Sequence, residues 1–426
     1  MSLLIRDGLV IDPAQRVEGI LDILIEDGKV ATIGRGLGKR PSLKGLPCLD
    51  ASGRWVVPGL IDMHVHLREP GFEEAETIAS GAAAAARGGF TTVLAMPNTS
   101  PPLDDPGLLA DLRARAAGAA VNVLFAATVT EGQAGTSLAP LEVLAAAGAA
   151  AFSEDGRPVR DPGLMRRALE LSRSLDRPIL SHCEDLNLAG NGVMNAGPLA
   201  AAKGLPGIPA ACETAMVCRD ITLAEAARGR LHLCHASTRG TVRALALAKA
   251  RGLSVTGEAA PHHWTLCDAD IPGRDPDYKM NPPLRSPTDR DAVRTGLVEG
   301  TIDVVASDHA PHTRKRKALG FAKAPFGIIG LETSLGLALT RLLEAGLTPT
   351  ALVERMSAAP ARILGLKSKG SLRPGMDADV TIIDPGARWT PRPPFASKSS
   401  NTPFTGMRLR GRACATVVAG RVVHAL

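Results

Sequence analysis

Apolar residues fall along this chain in three successive textures. From residue 1 to 55, short β-prone runs (Leu3 to Ile5, Leu21 to Ile25, Val30 to Ile33) are separated by turn signals such as Asp27-Gly28. That pattern predicts a small antiparallel sheet. From Val56 onward, apolar strand candidates alternate with helix candidates, which predicts parallel strands joined by helices. The strands are expected at 56–66, 89–97, 121–129, 148–154, 177–183, 230–236, 253–259 and 301–307. The helix at 161–175 has Asp161 as N-cap, Pro162 at its first position, and Leu164, Ala168, Leu171 and Leu175 along one face. Another helix follows Thr238 and stops at Gly252, and a helical pair is expected at 331–346 and 349–364. After Gly370 the texture reverts to short strands, at 371–384 and 407–424, around a Pro-, Ser- and Thr-rich surface loop at 385–406.

Eight β/α units over about 250 residues fit a TIM (β/α)8 barrel, with a doubly wound open sheet as the alternative. The two β-rich ends fit one composite β-sandwich built from both termini. The expected organisation is therefore 1–55 plus 370–426 as a small β domain, and 56–369 as the barrel.

Composition narrows the class. The chain has 426 residues, 45% of them apolar, enough for a large core and against disorder. A net charge of +6 is mild for this length. The basic residues are scattered except for Arg314-Lys315-Arg316-Lys317, which reads as a solvated loop. A nucleic-acid surface would want a basic face with interleaved aromatics, so none is expected. The seven cysteines are dispersed and lack a CxxC pair, which predicts free thiols in a reducing cytoplasm. Arg6, Asp7 and Asp12 leave no signal-peptide core, and no apolar run is long enough to span a bilayer.

The chemistry gathers around Val56 to Gly71. There an apolar strand runs into His64-Val65-His66 and then a charged turn. Side chains at i and i+2 of a strand share a face, so the two imidazoles project together, a good way to hold a metal ion. An isolated HxH decides nothing. In a TIM barrel, however, chemistry sits at the C-terminal strand ends. The fourth strand ends in Glu154-Asp155, the fifth in His182, the sixth in His235 and the eighth in Asp308-His309. Nitrogen and oxygen ligands converging on one rim suit zinc or another divalent cation.

These residues sit in a set of longer motifs: HVHLREPG at 64–71, MPNT at 96–99, SEDG at 153–156, HCED at 182–185, CHAS at 234–237, KMNPPLR at 279–285 and SDHAPH at 307–312. Together they resemble the dihydroorotases of the amidohydrolase superfamily, of the bacterial type with an aspartate metal bridge. The resemblance implies reversible hydrolysis of (S)-dihydroorotate to N-carbamoyl-L-aspartate in pyrimidine synthesis. It implies that His64, His66 and Asp308 bind one Zn2+, His182 and His235 a second, and that Asp155 bridges. Asp308 would also be the catalytic acid and base. Arg68, Asn98 and His312 would hold the substrate carboxylate and orient the ring, with His66, Asn281 and the backbone around Phe326-Gly327 closing the pocket. A homodimer is expected, and association with an aspartate transcarbamoylase is open.

One departure matters. Many relatives bridge their metals with a carboxylated lysine at the end of the fourth strand, and here that strand, GAAAFSEDG, has no lysine. The competing readings are a hydantoinase or dihydropyrimidinase, and a non-catalytic subunit that stabilises a transcarbamoylase. The first needs no arginine for a carboxylate, and the second loses metal ligands, whereas all six are present here. Lastly, the basic segment 313–325, directly after His312, is expected to be a mobile cover over the barrel mouth.

Overall fold

A computed structural model describes residues 2–426. Eight parallel strands follow one another around a barrel: Leu60–Val65, Phe90–Ala95, Asn122–Thr128, Ala151–Ser153, Ile179–Ser181, Leu231–Leu233, Val255–Ala259 and Val304–Val305. Each lies within its expected span. The first and eighth close on each other through a parallel bridge between Val65 and His309. The His66 N–H donates to the His309 carbonyl at 2.8 Å, and both carboxylate oxygens of Asp62 accept the Ser307 N–H at 3.1 Å. Burial raises the Asp62 pKa to about 6 although the Ser307 hydrogen bond opposes it.

Helices wrap the barrel where their caps require. Pro162–Ser174 begins with the Asp161 carboxylate accepting the Leu164 N–H at 2.8 Å. Arg239–Ala250 begins with the Thr238 hydroxyl accepting the Thr241 N–H at 3.1 Å. A cluster that includes Met63, Leu94, Ala126, Leu180 and Val304 packs strand residues against Ala359, Ile363 and Leu364.

The two chain ends build one outer sheet. Its order is Arg421–Ala425, Leu409–Val418, Val380–Trp389, Trp55–Pro58, Ser2–Asp12, Val17–Glu26 and Lys29–Gly34, with Cys48–Asp50 also paired to Ser2–Asp12. Its core draws Ile5, Ile23 and Val56 from one end and Val380, Ile382 and Val417 from the other.

Two expectations change here. The run 56–66 is two strands. Trp55–Pro58 belongs to the outer sheet, antiparallel to Val380 to Ile383, and Leu60–Val65 starts the barrel. The outer sheet therefore continues past the boundary expected at 55. Both halves of the run are buried, so hydrophobicity shows no seam. The seam is Pro58-Gly59. A Cβ on Gly59 would lie 2.1 Å from Thr91 Oγ1, so the chain changes sheets where only a glycine fits.

The second change concerns 385–406, expected as a surface loop. The outer strand runs on to Trp389, and beyond it Ser397, Ser399, Asn401, Thr402 and Phe404 are buried. Polar side chains can be buried when hydrogen-bonded. The Ser399 hydroxyl donates to the Ala75 carbonyl at 2.7 Å, and Ser397 bonds to the Glu76 carboxylate. All seven cysteines are free, as expected. Among the described residues, no helix is long and apolar enough to cross a membrane.

Candidate metal centre and cavity

The strand ends bring the expected ligands to one point. Asp155 is the hub. Its Oδ1 lies 3.4 Å from His64 Nε2, from His182 Nδ1 and from His235 Nε2. Its Oδ2 lies 3.4 Å from His66 Nε2. Asp308 Oδ1 stands 3.3 Å from His66 Nε2 and 3.7 Å from His64 Nε2.

The far side of each ring decides what faces the centre. Carboxylates only accept hydrogen bonds when ionised. His64 Nδ1 therefore donates to Glu258 Oε1 at 2.6 Å, and His182 Nε2 to Glu184 Oε2 at 3.2 Å. His66 Nδ1 donates to Asn98 Oδ1 at 2.9 Å, and the Asn98 amide nitrogen in turn reaches Asp155 Oδ2 at 3.3 Å. The inward nitrogens of neutral rings thus carry bare lone pairs. His182 Nδ1 and His235 Nε2 are only 2.9 Å apart, and His64 Nε2 and Asp155 Oδ1 are buried with no hydrogen-bond partner.

Lone pairs and carboxylates crowded together, with two atoms orphaned, call for a cation. The spacing fits. Ligands about 2.0–2.1 Å from a tetrahedral zinc stand about 3.3–3.4 Å from one another. Three groups that share His64 satisfy the ligand-atom geometry among the described residues: His64 with His66 and Asp308, His64 with Asp155 and His235, and, on the far side of the His64 ring, His64 with Cys234 and Glu258.

The electrostatics agree. Burial would raise Asp155 and Asp308, but the facing histidines outweigh it, and both carboxyls are held below the usual range. Burial opposes protonation of His182, yet Asp155 and Glu184 push its pKa up to about 10.

Three residues here adopt left-handed backbone without being glycine: Arg68 (φ 61°), His235 (φ 32°) and Asp308 (φ 47°). Such conformations cost on the order of 1–3 kcal/mol each and persist where surrounding contacts over-determine them. All three lie just past barrel strand ends, where the chain must turn while its side chain reaches inward.

A cavity of about 200 Å³ opens in front of these groups. Its walls include His66, Arg68, Asn98, Asp155, His182, His235, Asn281, Asp308, His312, Phe326 and Gly327. Every sequence-predicted site residue is therefore in the wall except His64, which is fully buried behind it. Arg68 Nε donates to the Pro311 carbonyl at 3.2 Å, and its Nη2 stands 3.4 Å from His312 Nε2. Burial and the Arg68 charge push the His312 pKa down to about 2, so this ring is neutral. His312 Nε2 donates to the Phe326 carbonyl at 2.7 Å. A larger cavity of about 1020 Å³ lies elsewhere on the rim. None of the candidate metal groups lies among its lining residues, and the Arg219 guanidinium there donates to the Val159 and Arg160 carbonyls.

Sequence reading missed Glu258. It ends the seventh strand, accepts from His64, and also lies 3.2 Å from His232 Nε2. The His64 charge and the His232 and His64 hydrogen bonds overcome burial and lower its pKa to about 2. The available signal was a glutamate near a strand end, the position at which the other strands carry candidate ligands. Glu258→Gln is expected to weaken metal binding about 10- to 100-fold, as loss of a carboxylate behind a ligating histidine typically does. Competition with a chromophoric chelator reads this directly, and unchanged affinity would reduce Glu258 to a packing role. His262 was missed too. It is buried, its Nε2 lies 4.0 Å from Asp308 Oδ2, and neither ring nitrogen has a partner.

Comparison with known proteins places this geometry. A family described as "Dihydro-orotase-like" matches residues 53–241. The dihydroorotase of Pelotomaculum thermopropionicum is 52% identical over 425 residues, covering 99% of this chain and 98% of that protein. The dihydroorotase of Geobacter metallireducens is 48% identical over 426 residues, covering 100% of each. Among solved structures, the L-hydantoinase (dihydropyrimidinase) from Arthrobacter aurescens superposes with a TM-score of 0.90 at 26% identity, over 99% of this chain and 96% of that one. The D-hydantoinase (dihydropyrimidinase) from Thermus sp. gives 0.85 at 27% identity, over 100% and 96%.

Proposed function

The chain belongs to the dihydroorotases, and from that premise we propose that its barrel-mouth cavity opens the cyclic amide of (S)-dihydroorotate to N-carbamoyl-L-aspartate and closes it again. The observation that carries the reading is Arg68, a cation on the wall of the same cavity as the Asp155–histidine cluster. The substrate carries its carboxylate across the ring from the scissile amide, and the two groups would face these two features.

We assign His64, His66 and Asp308 to one Zn2+, and His182 and His235 to a second, with Asp155 between them. Asp155 reaches both sets, Oδ1 lying against His64, His182 and His235 and Oδ2 against His66, which supports a carboxylate that would bridge them. When bound, the cation supplies Lewis acidity, which makes a water more acidic and the amide carbonyl more electrophilic.

The rest falls to this chain's side chains. Arg68, fixed by its bond to the Pro311 carbonyl, turns its outer N–H groups to the substrate carboxylate. Asn98 and neutral His312 orient the ring, and Asn281 and the Phe326-Gly327 backbone close over it. Asp308, already ionised, takes a proton from water as its oxygen attacks the amide carbon. As the carbon–nitrogen bond breaks, the same carboxyl returns that proton to the leaving nitrogen.

The substrate is the sharpest test. Dihydrouracil has the same ring without the carboxylate. Dihydroorotate should be hydrolysed far faster, and Arg68→Met should cost roughly 2–4 kcal/mol in kcat/KM, the scale of a lost charge-assisted pair. Equal rates on the two rings would favour a hydantoinase-like activity instead. An inert wild type with its metal bound would favour the non-catalytic subunit.

We extend the proposal to a cytoplasmic homodimer in which 1–55 with 370–426 forms the β domain, its sheet running on through Trp55–Pro58, and 56–369 otherwise forms the catalytic barrel. Docking of an aspartate transcarbamoylase is compatible with it. Seven unpaired cysteines support a reducing compartment, and sedimentation with and without a transcarbamoylase tests the assembly.

A further inference from the structure

Of the basic run Arg314 to Lys317, the last residue does not reach solvent. Arg314 pairs with Asp277 at 2.6 Å on the surface, and Lys315 and Arg316 are exposed. Lys317 is 1% exposed. Its Nζ donates to the carbonyls of Gly327 at 2.8 Å, Lys279 at 3.2 Å and Pro325 at 3.2 Å. An ammonium has three N–H groups, and all are used.

The three acceptors come from segments that wall the cavity. Lys279 leads into Asn281, Pro325 and Gly327 flank Phe326, and Lys317 ends the short helix Arg314–Lys317 that follows His312. The joint is reinforced on both sides. The Gly327 N–H donates to the Lys279 carbonyl at 3.0 Å. Asn401 Nδ2 donates to the Gly327 carbonyl at 3.0 Å and the Ala310 carbonyl at 3.3 Å, while its Oδ1 accepts the His312 N–H at 3.1 Å. Gly327 itself has φ +127°, and a Cβ there would lie 2.6 Å from Ala310 Cβ and 3.2 Å from His312 Nε2. The wall has no slack at this point.

No carboxylate stands within ion-pair distance of Lys317 among the described residues. A buried cation without a counter-ion is costly, and packing alone would be better served by an apolar side chain. Its benefit would lie with an anion in the adjacent cavity.

We infer that Lys317 is a positioning residue for substrate binding, a buried strut that joins the Asn281, His312 and Phe326-Gly327 walls into one anion-receiving surface. The inference rests on the dihydroorotase reading above. It also divides the basic run, because Lys315 and Arg316 have no part in the strut.

The test is steady-state kinetics on dihydroorotate with the full-length, metal-loaded protein, recording melting temperature and metal content for each variant. Lys317→Met should raise KM about tenfold or more, with kcat changed less than about threefold, since a displaced binding wall weakens capture of the substrate. Lys317→Arg should recover part of that loss, and the double variant Lys315→Gln/Arg316→Gln should match wild type. Hydrogen exchange at the Gly327 amide should quicken in Lys317→Met without substrate present. If that variant does not fold, Lys317→Gln carries the same KM and exchange measurements. A folded variant with unchanged KM, or one that loses kcat alone, overturns the inference. A wild type inert toward dihydroorotate overturns the functional reading instead.

Discussion

Asp308→Asn should reduce turnover by at least about 10²- to 10⁴-fold, the usual worth of general acid–base catalysis, and leave the protein folded. The substitution is nearly isosteric, and asparagine is among the few residues that tolerate the left-handed backbone found here, φ 47°. What it removes is the capacity to take and return a proton. Wild-type Asp308 is ionised, since the His66 hydrogen bond and the His64 and His235 charges outweigh burial, so its carboxylate has lone pairs open to a proton. A weakened metal ligand would add to the loss. The measurement is kcat on dihydroorotate, with metal content and melting temperature recorded on the same preparation. A variant that keeps a third or more of wild-type activity with metal bound would mean that another group carries the proton.

The barrel and the cluster of histidines and aspartates at its strand ends were legible because the pattern and the chemistry are both local. A strand end followed by a histidine or aspartate can be read residue by residue, and each expected strand contains an observed one. What could not be read was the role of residues whose partners are remote in sequence. Glu258 looks like any acid at a strand end until His64, far earlier in the chain, is seen to bond to it. Lys317 looked solvated because its neighbours are charged, yet its three acceptors are backbone carbonyls, which leave no mark in a sequence. The same holds for 385–406. Its serines and Asn401 read as loop, but their hydrogen-bond partners on the barrel rim let them be buried. Within the segment expected as a mobile cover, Arg314–Lys317 form a short helix held by Arg314 and Lys317. The split at Pro58-Gly59 was hidden for the opposite reason, since both strands are buried and share one apolar run.

Removal of the metal should abolish turnover and lower the melting temperature, and Asp155→Ala should make both losses permanent. Asp155 Oδ1 faces three imidazole nitrogens at 3.4 Å, and Oδ2 faces a fourth. Asp308, the other carboxylate of the cluster, stands within 4 Å of only two of these four imidazoles, His64 and His66. A ligand that binds only the folded state at 100 to 1,000 times its Kd stabilises it by about 2.7–4.1 kcal/mol. For a chain of 426 residues, with about 2.1 cal/mol/K of unfolding entropy per residue, that corresponds to about 3–5 °C for each ion. Chelation of the wild type should therefore produce a shift of that size, and added Zn2+ should reverse it together with activity. Asp155→Ala removes the hub and leaves the histidine lone pairs facing one another. Its metal affinity should fall by more than about 100-fold, beyond the loss typical of an outer-shell partner. At a Zn2+ concentration that restores the wild type, it should regain neither activity nor the full melting temperature. An Asp155→Ala protein that binds as much metal as the wild type and turns over normally would place the centre elsewhere. A chelated wild type of undiminished activity would remove the metal from the mechanism.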